Sequence, residues 1–179
     1  MLVRLEPLTS SATRKKLKSI VDPNRFQDNK MEIKIETASI RLLDKFCEIE
    51  DQCFDQEAFT KRQLAYLLTD YNTIGLVAKA DSEVAGFIIS QVEIENDTLY
   101  GHIITINVAP NYRRKGIAKK MLREIEQILR EKGINECHLE VREDNLSALK
   151  LYQNSGYTKI VRLEKYYGNK HGLFLKKTL

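Results

Sequence analysis

Residues 109–133 read APNYRRKGIAKKMLREIEQILREKG. A run of strand character ends at Val108 just before them, so the order is strand, tight loop, helix. This unit limits the fold more than any other stretch of the chain. A helix opens with amide N–H groups that have no intrahelical acceptor and with about half a positive charge, so anions settle there. Gly116 has no Cβ and lets the backbone pass close to a ligand, and Arg113, Arg114 and Lys115 add attraction for phosphate. The physics is that of other phosphate-holding loops, yet RRKGIA is neither a GxxxxGK[ST] loop nor a GxGxxG turn. Taken alone, the hexapeptide reads equally well as a surface turn with solvated cations. The helix after it carries one apolar stripe, Ile117, Met121, Ile125 and Ile128 with Leu122 and Leu129 beside them, and Lys132-Gly133 stops it.

Around this unit the periodicity predicts a mixed sheet. MEIKIETA (31–38) alternates as a half-buried strand does. Residues 39–54 have helical spacing in Ile40, Leu43, Phe46, Cys47, Ile49 and Glu50, with Ser39 as N-cap, and Thr60 caps a second helix running to residue 70. Residues 73–108 read as three strands, with turns at Asp81-Ser82-Glu83 and Asn96-Asp97. After the long helix come a strand (136–142), a short helix (145–156) capped by Asn145, and strands at 157–167 and 172–179. The order β-α-α-β-β-β-α-β-α-β-β predicts a single α/β domain with a mostly antiparallel sheet flanked by helices.

Charge divides the chain. Residues 1–30 hold seven cations against three acids, which equals the +4 of the whole chain, so residues 31–179 are neutral overall. The expectation is a basic N-terminal extension over 1–30, able to touch a ribosome or another acidic partner, before a domain over 31–179. A neutral domain has no broad basic face for nucleic acid. No window approaches the run of about 18 apolar residues that a membrane span needs, and no apolar run near the start resembles a secretory signal. Three cysteines without CxxC spacing predict neither a disulfide framework nor a metal site, and point to a reducing cytoplasm.

Two blocks, NVAPNYRRKGIAKKML and then LEVREDNLSALKLYQNSGY, resemble the GNAT acetyltransferase superfamily. The first follows its V-x-P-x-[YW]-[RQ]-x-x-G-[ILV]-[GA] loop and the second its N-x-x-A-x-x-[LF]-Y-x-x-x-G-[FY] segment. LEVR-x-x-N and the late Tyr-Tyr pair are most similar to ribosomal-protein alanine and archaeal protein N-terminal acetyltransferases. The resemblance implies acetyl-CoA, its pyrophosphate held by the backbone of Arg113, Arg114, Lys115, Gly116, Ile117 and Ala118. It also implies that Ile106, Asn107 and Val108 bind the pantetheine arm and acetyl carbonyl like an added strand, and that Asn145 and Tyr152 touch the cofactor. Val108 N–H is the expected oxyanion donor.

Moving an acetyl group from a thioester to an amine needs a neutral amine, a polarised carbonyl and a proton for the departing thiolate. An α-amino group, with an ordinary pKa of about 7.7–8.0, needs far less help than lysine near 10.4. By resemblance Glu140 is the general base and Tyr152 the acid that protonates the thiolate. On a strand His138 shares a face with Glu140, and His102 stands where some N-terminal acetyltransferases place a second base. Both histidines read more readily as satisfied structural groups, and Cys137 as core. Substrate is expected between residues 53–63 and 165–172, with Phe54 and Phe59 as an apolar pocket, Glu57 meeting the ammonium, and Tyr166 and Tyr167 holding the peptide backbone. The leading expectation is transfer to protein N-termini by direct attack in a ternary complex. Lysine or polyamine-type acceptors, or a non-catalytic acyl-CoA-binding module, are the alternatives.

Overall fold

Two-residue turns set the register of the first half of the sheet. A computed structural model of the chain describes residues 31–54 and 57–179. Asp81 and Ser82 have φ of 47° and 82°, and Asn96 and Asp97 have 48° and 62°. Such left-handed pairs match the twist of antiparallel strands. They join β2 (Thr73–Ala80) to β3 (Glu83–Glu95), and β3 to β4 (Thr98–Val108). Antiparallel β1 (Ile33–Thr37) covers the outer edge of β2.

Helices α1 (Leu43–Cys53) and α2 (Lys61–Thr69) lie between β1 and β2 in the chain. The segment predicted as helix from residue 39 opens with a 3-10 turn over Ile40–Leu42, because Ser39 Oγ accepts from Arg41 N and tightens the start. Thr60 and Gln63 close a reciprocal capping box on α2. After β4 come a 3-10 turn at Pro110–Tyr112, α3 (Ile117–Glu131), β5 (Glu136–Arg142), α4 (Leu146–Gln153), β6 (Thr158–Tyr167) and β7 (Lys170–Thr178). The last strand starts two residues earlier than its pattern predicts, because Gly168 at φ 64° turns the hairpin sooner. The predicted basic extension, residues 1–30, lies outside the described residues.

The seven strands run in the order β1-β2-β3-β4-β5-β7-β6, and among them only β4 and β5 are parallel. One face is covered by α3, where Ile117, Met121, Leu122, Ile125 and Leu129 are at most 2% exposed. Ile128, predicted for that stripe, is only half-buried, while Glu126 goes inside with its Oε2 on Lys177 Nζ at 2.6 Å. On the other face Phe46 of α1 stacks on Phe87 of β3, ring centroids 4.2 Å apart. Ile49, Leu64, Leu67, Val77 and Ile89 join that cluster.

Two irregularities mark β4, the central strand. β4 and β5 pair only at Gly101 with Cys137 and His102 with His138, and beyond that they part. The β3–β4 register also shifts at Ile89/Ser90, leaving Ile104 as an extra residue on β4. Such a bulge re-aims the strand's end, as bulges beside active sites commonly do.

Candidate active site

The parting of β4 from β5 opens a cavity of about 790 Å³. Its walls bring together Ile106, Glu140, Asn145 and Tyr152 with Phe54, Glu57, Phe59, Tyr166 and Tyr167. Residues from five separate stretches of the chain, each expected from the sequence to serve catalysis or binding, therefore face one space. The backbone of β4 that lines it has lost its neighbour on the β5 side, so it presents hydrogen-bonding groups to whatever enters.

Glu140 does not stand alone. Its Oε2 lies 2.7 Å from His102 Nε2, and His102 Nδ1 lies 2.8 Å from Glu93 Oε1. Burial by itself would push the His102 imidazole down, but hydrogen bonds and charge from Glu140 and Glu93 outweigh it and raise it above its ordinary value. His138 has another part. It is buried, its Nε2 meets Glu136 at 3.3 Å, and its ring stacks on Tyr100 and meets Phe174 edge to face; burial lowers its pKa. Cys137 points into the core, where burial pushes its thiol up to about 12, a poor nucleophile.

Tyr152 is nearly buried, and desolvation raises its phenol far above the ordinary range, which keeps it protonated. Asn145 caps α4 through Oδ1 on Ala148 N, 3.1 Å, which leaves its NH₂ available to the cavity. Tyr166 and Tyr167 meet edge to face at 5.0 Å and pack over Gly172, where a Cβ would come within 3.3 Å of both side chains. Glu57 Oε2 accepts from Arg142 Nη1 at 3.0 Å, so its carboxylate is already partnered. Residues 55 and 56 of this loop lie outside the described residues.

The loop before α3 has Arg114 at φ 64° and Gly116 at φ 77°. Alternating handedness of this kind turns successive N–H groups to one side, as anion-holding nests do. No protein atom lies within 4 Å of where a Cβ on Gly116 would be, so inside the protein only its φ of 77° calls for glycine. Arg113 folds back, donating Nε–H to Val108 O (3.0 Å) and Nη2–H to Cys53 Sγ (3.3 Å), and thereby ties the loop to the end of β4. Ile117 is buried and Ala118 half-buried at the helix start, so they can offer backbone only.

Asn107, expected to contribute backbone, turns its side chain the other way. Its Nδ2 donates to Glu50 Oε2 (2.6 Å) and Thr105 Oγ1 (2.8 Å), while Glu50 Oε1 accepts from Phe59 N (3.1 Å). Glu50 thus pins the loop at Phe59 to the end of β4. It is fully buried, and desolvation raises its pKa despite the two donors. Glu50→Ala should lose about 3 kcal/mol by orphaning both donors, read as a lower urea midpoint. Glu50→Gln should lose about 1 kcal/mol, because Asn107 Oδ1 has no partner among the described residues and the amide can flip to accept. The native state holds the Glu50 proton longer than the unfolded chain does, so stability falls as pH rises from 4.5 towards the native value. In Glu50→Gln that slope should vanish, and the variant should gain relative to wild type as pH rises.

From the sequence no site role is expected of Glu50, Glu93 or Arg142, and His102 reads more readily as structural than as a second base. One signal is available. The Asn96-Asp97 turn fixes Glu93 opposite Tyr100 and diagonal to His102.

A model of the acetyltransferase (GNAT) family matches residues 40–157. The catalytic subunit NAA20 of the N-terminal acetyltransferase B complex from Arabidopsis thaliana is 34% identical over 102 residues, which cover 55% of this chain and 58% of that one. An N-alpha-acetyltransferase from Sulfurisphaera tokodaii is 31% identical over 60% of this chain and 70% of its own length. Among solved structures, the ribosomal-protein-S18-alanine N-acetyltransferase of Escherichia coli superposes with a TM-score of 0.73 over 82% of this chain and 94% of that one, at 20% identity, a likeness of fold. Among the described residues no three metal-binding side chains cluster, and no helix is long and apolar enough to cross a membrane.

Proposed function

Because this chain belongs to the acetyltransferase (GNAT) family, we propose that it moves the acetyl group of acetyl-CoA to the α-amino group of protein N-termini, by direct attack in a ternary complex. One observation carries the reading. A carboxylate–imidazole pair, Glu140 and His102, faces a cavity that also exposes the unpaired side of β4. Two curated relatives whose names specify N-terminal or N-alpha acetylation support the choice of acceptor.

The residues present fit acetyl-CoA as co-substrate. The left-handed turn at Arg114 and Gly116, followed by the open first turn of α3, suits a diphosphate. The edge of Ile106, Asn107 and Val108 suits an extended amide chain. Acetyl-CoA supplies the activated acyl group and the thiolate that leaves. Glu140, with His102, takes a proton from the substrate ammonium, and the N–H of Val108 would hold the acetyl carbonyl oxygen. Tyr152, held protonated, gives its proton to the thiolate. Tyr166, Tyr167, Phe54 and Phe59 orient the first residues of the acceptor. We place this activity in residues 31–179, assign contact with a ribosome or acidic partner to the charge of residues 1–30, and place the protein in the cytoplasm, where Cys47, Cys53 and Cys137 stay free thiols.

The test is acetyl-CoA with a panel of short peptides varied at the first residue, each with a free or a blocked N-terminus, read by mass spectrometry. Acetylation should appear on the α-amine of free peptides and depend on the first residue. Modification confined to lysine in blocked peptides would move the protein to side-chain acetylation. Cofactor binding by calorimetry with no product on any amine would make it a binding module.

A further inference from the structure

We propose that Glu93, anchored by Tyr100, is a positioning residue that fixes the tautomer of His102 and so makes Glu140 and His102 a single two-site base. The proposal rests on the assignment of Glu140 and His102 as the base and adds what holds that base in its working form.

The geometry is a chain of short contacts across three strands. Tyr100 Oη donates to Glu93 Oε2 at 2.7 Å, Glu93 Oε1 faces His102 Nδ1 at 2.8 Å, and His102 Nε2 faces Glu140 Oε2 at 2.7 Å. Behind it Tyr100 stacks on the buried His138 ring, centroids 4.3 Å apart, so the anchor is itself packed. Only the far end reaches the cavity, through His102 and Glu140. Glu93 touches no substrate space and is about a third exposed.

A neutral imidazole has one N–H, yet both ring nitrogens here face carboxylates. With the hydrogen on Nδ1, it is satisfied by Glu93 and the Nε2 lone pair points at Glu140. That tautomer lets a proton arriving on Glu140 pass straight on. The substrate ammonium's N–H bond breaks, a Glu140 O–H bond forms, and the proton moves to Nε2, leaving an imidazolium between two carboxylates. That imidazolium returns its proton to solvent before the next turnover. With the hydrogen on Nε2 instead, the proton would stop at Glu140 and the Nδ1 lone pair would face the Glu93 anion. Glu93 thus acts as the orienting carboxylate does in other base-plus-orienter sites.

The groups facing His102 are Glu93 and Gln91 from β3, Tyr100 from β4, and Glu140 and His138 from β5, with Tyr166 and Tyr167 beyond Glu140. Of these only Glu93 and Glu140 raise the imidazole, so removing the Glu93 charge lowers it.

The experiment combines pH profiles of kcat and kcat/KM with the ¹⁵N shifts of the imidazoles in histidine-labelled protein, which has three histidines; His102→Gln assigns the signal. In wild type the neutral His102 should carry hydrogen on Nδ1. Glu93→Gln, whose amide oxygen is a weaker acceptor than the carboxylate, should weaken that preference, lower kcat about tenfold with KM held within about twofold, and move the acidic limb to lower pH. Tyr100→Phe frees the Glu93 carboxylate but keeps its charge, so it should weaken the Nδ1 preference and lower kcat by less, with the acidic limb left in place. The proposal is overturned if neutral wild-type His102 carries its hydrogen on Nε2, a reading that requires no variant to fold. It is equally overturned if Glu93→Gln leaves kcat and the acidic limb unchanged while Glu140→Gln is inactive, which keeps the base assignment. Full activity in Glu140→Gln and His102→Gln together removes that assignment and the proposal with it.

Discussion

Glu140→Gln should lower kcat by about 10²–10³ while leaving KM for acetyl-CoA and peptide nearly unchanged. The amide keeps the size of the side chain and can still meet His102, so the cavity should hold its shape and only proton acceptance is lost. His102→Ala should fall by a similar factor. The double variant should be little worse than either single one, because the two groups act as a unit at 2.7 Å. The pH response is the sharper readout. An α-amine loses its own proton near pH 8, so the deficit of Glu140→Gln should shrink as the assay moves above that value. A lysine acceptor would show no such recovery until much higher pH. Full kcat in Glu140→Gln at neutral pH would remove Glu140 from the chemistry.

Much of this molecule is legible in local sequence, and the exceptions share one cause. The hairpin turns, the Thr60 cap and the stripe on α3 depend on residues a few positions apart, and each forms close to where the pattern puts it. The motif residues Glu140, Asn145 and Tyr152 do line a cavity together with Phe54, Phe59 and the Tyr166–Tyr167 pair. His102 is undervalued by its sequence setting because its partner arrives through the β4–β5 pairing, 38 positions away in the chain. Glu50 falls on the inward face of a helical pattern, yet its partners Phe59 and Asn107 come from a loop and a distant strand. Periodicity shows that a side chain points inward; it does not show what it meets there. Glu57 is similar: an apparently available carboxylate is tied to Arg142, 85 positions on.

Gly86 has the second large expected effect, and it acts through backbone alone. A Cβ built there would lie 2.3 Å from Asn107 O and 3.1 Å from Val108 Cα. An ordinary carbon–oxygen contact is about 3.3 Å, so Gly86→Ala forces β3 and β4 apart by about 1 Å opposite Val108, its partner in the register. Overpacking of this kind costs about 1–3 kcal/mol, and Asn107 also holds Glu50, which ties the strain to the substrate-side loop. A displacement of about 1 Å in a positioning element can cost about 10²-fold in rate. Gly86→Ala should therefore lose about 2 kcal/mol in urea unfolding and about 10²-fold in kcat/KM for acetyl-CoA, while the acidic limb set by His102 stays in place. Gly116→Ala is the contrast, since its Cβ enters open space and only the left-handed backbone resists it, at about 1 kcal/mol. If Gly86→Ala proves no less stable than Gly116→Ala in urea and keeps the wild-type kcat/KM for acetyl-CoA, the end of β4 does not need this close approach, and the edge of Ile106, Asn107 and Val108 is not where the cofactor's extended arm is held.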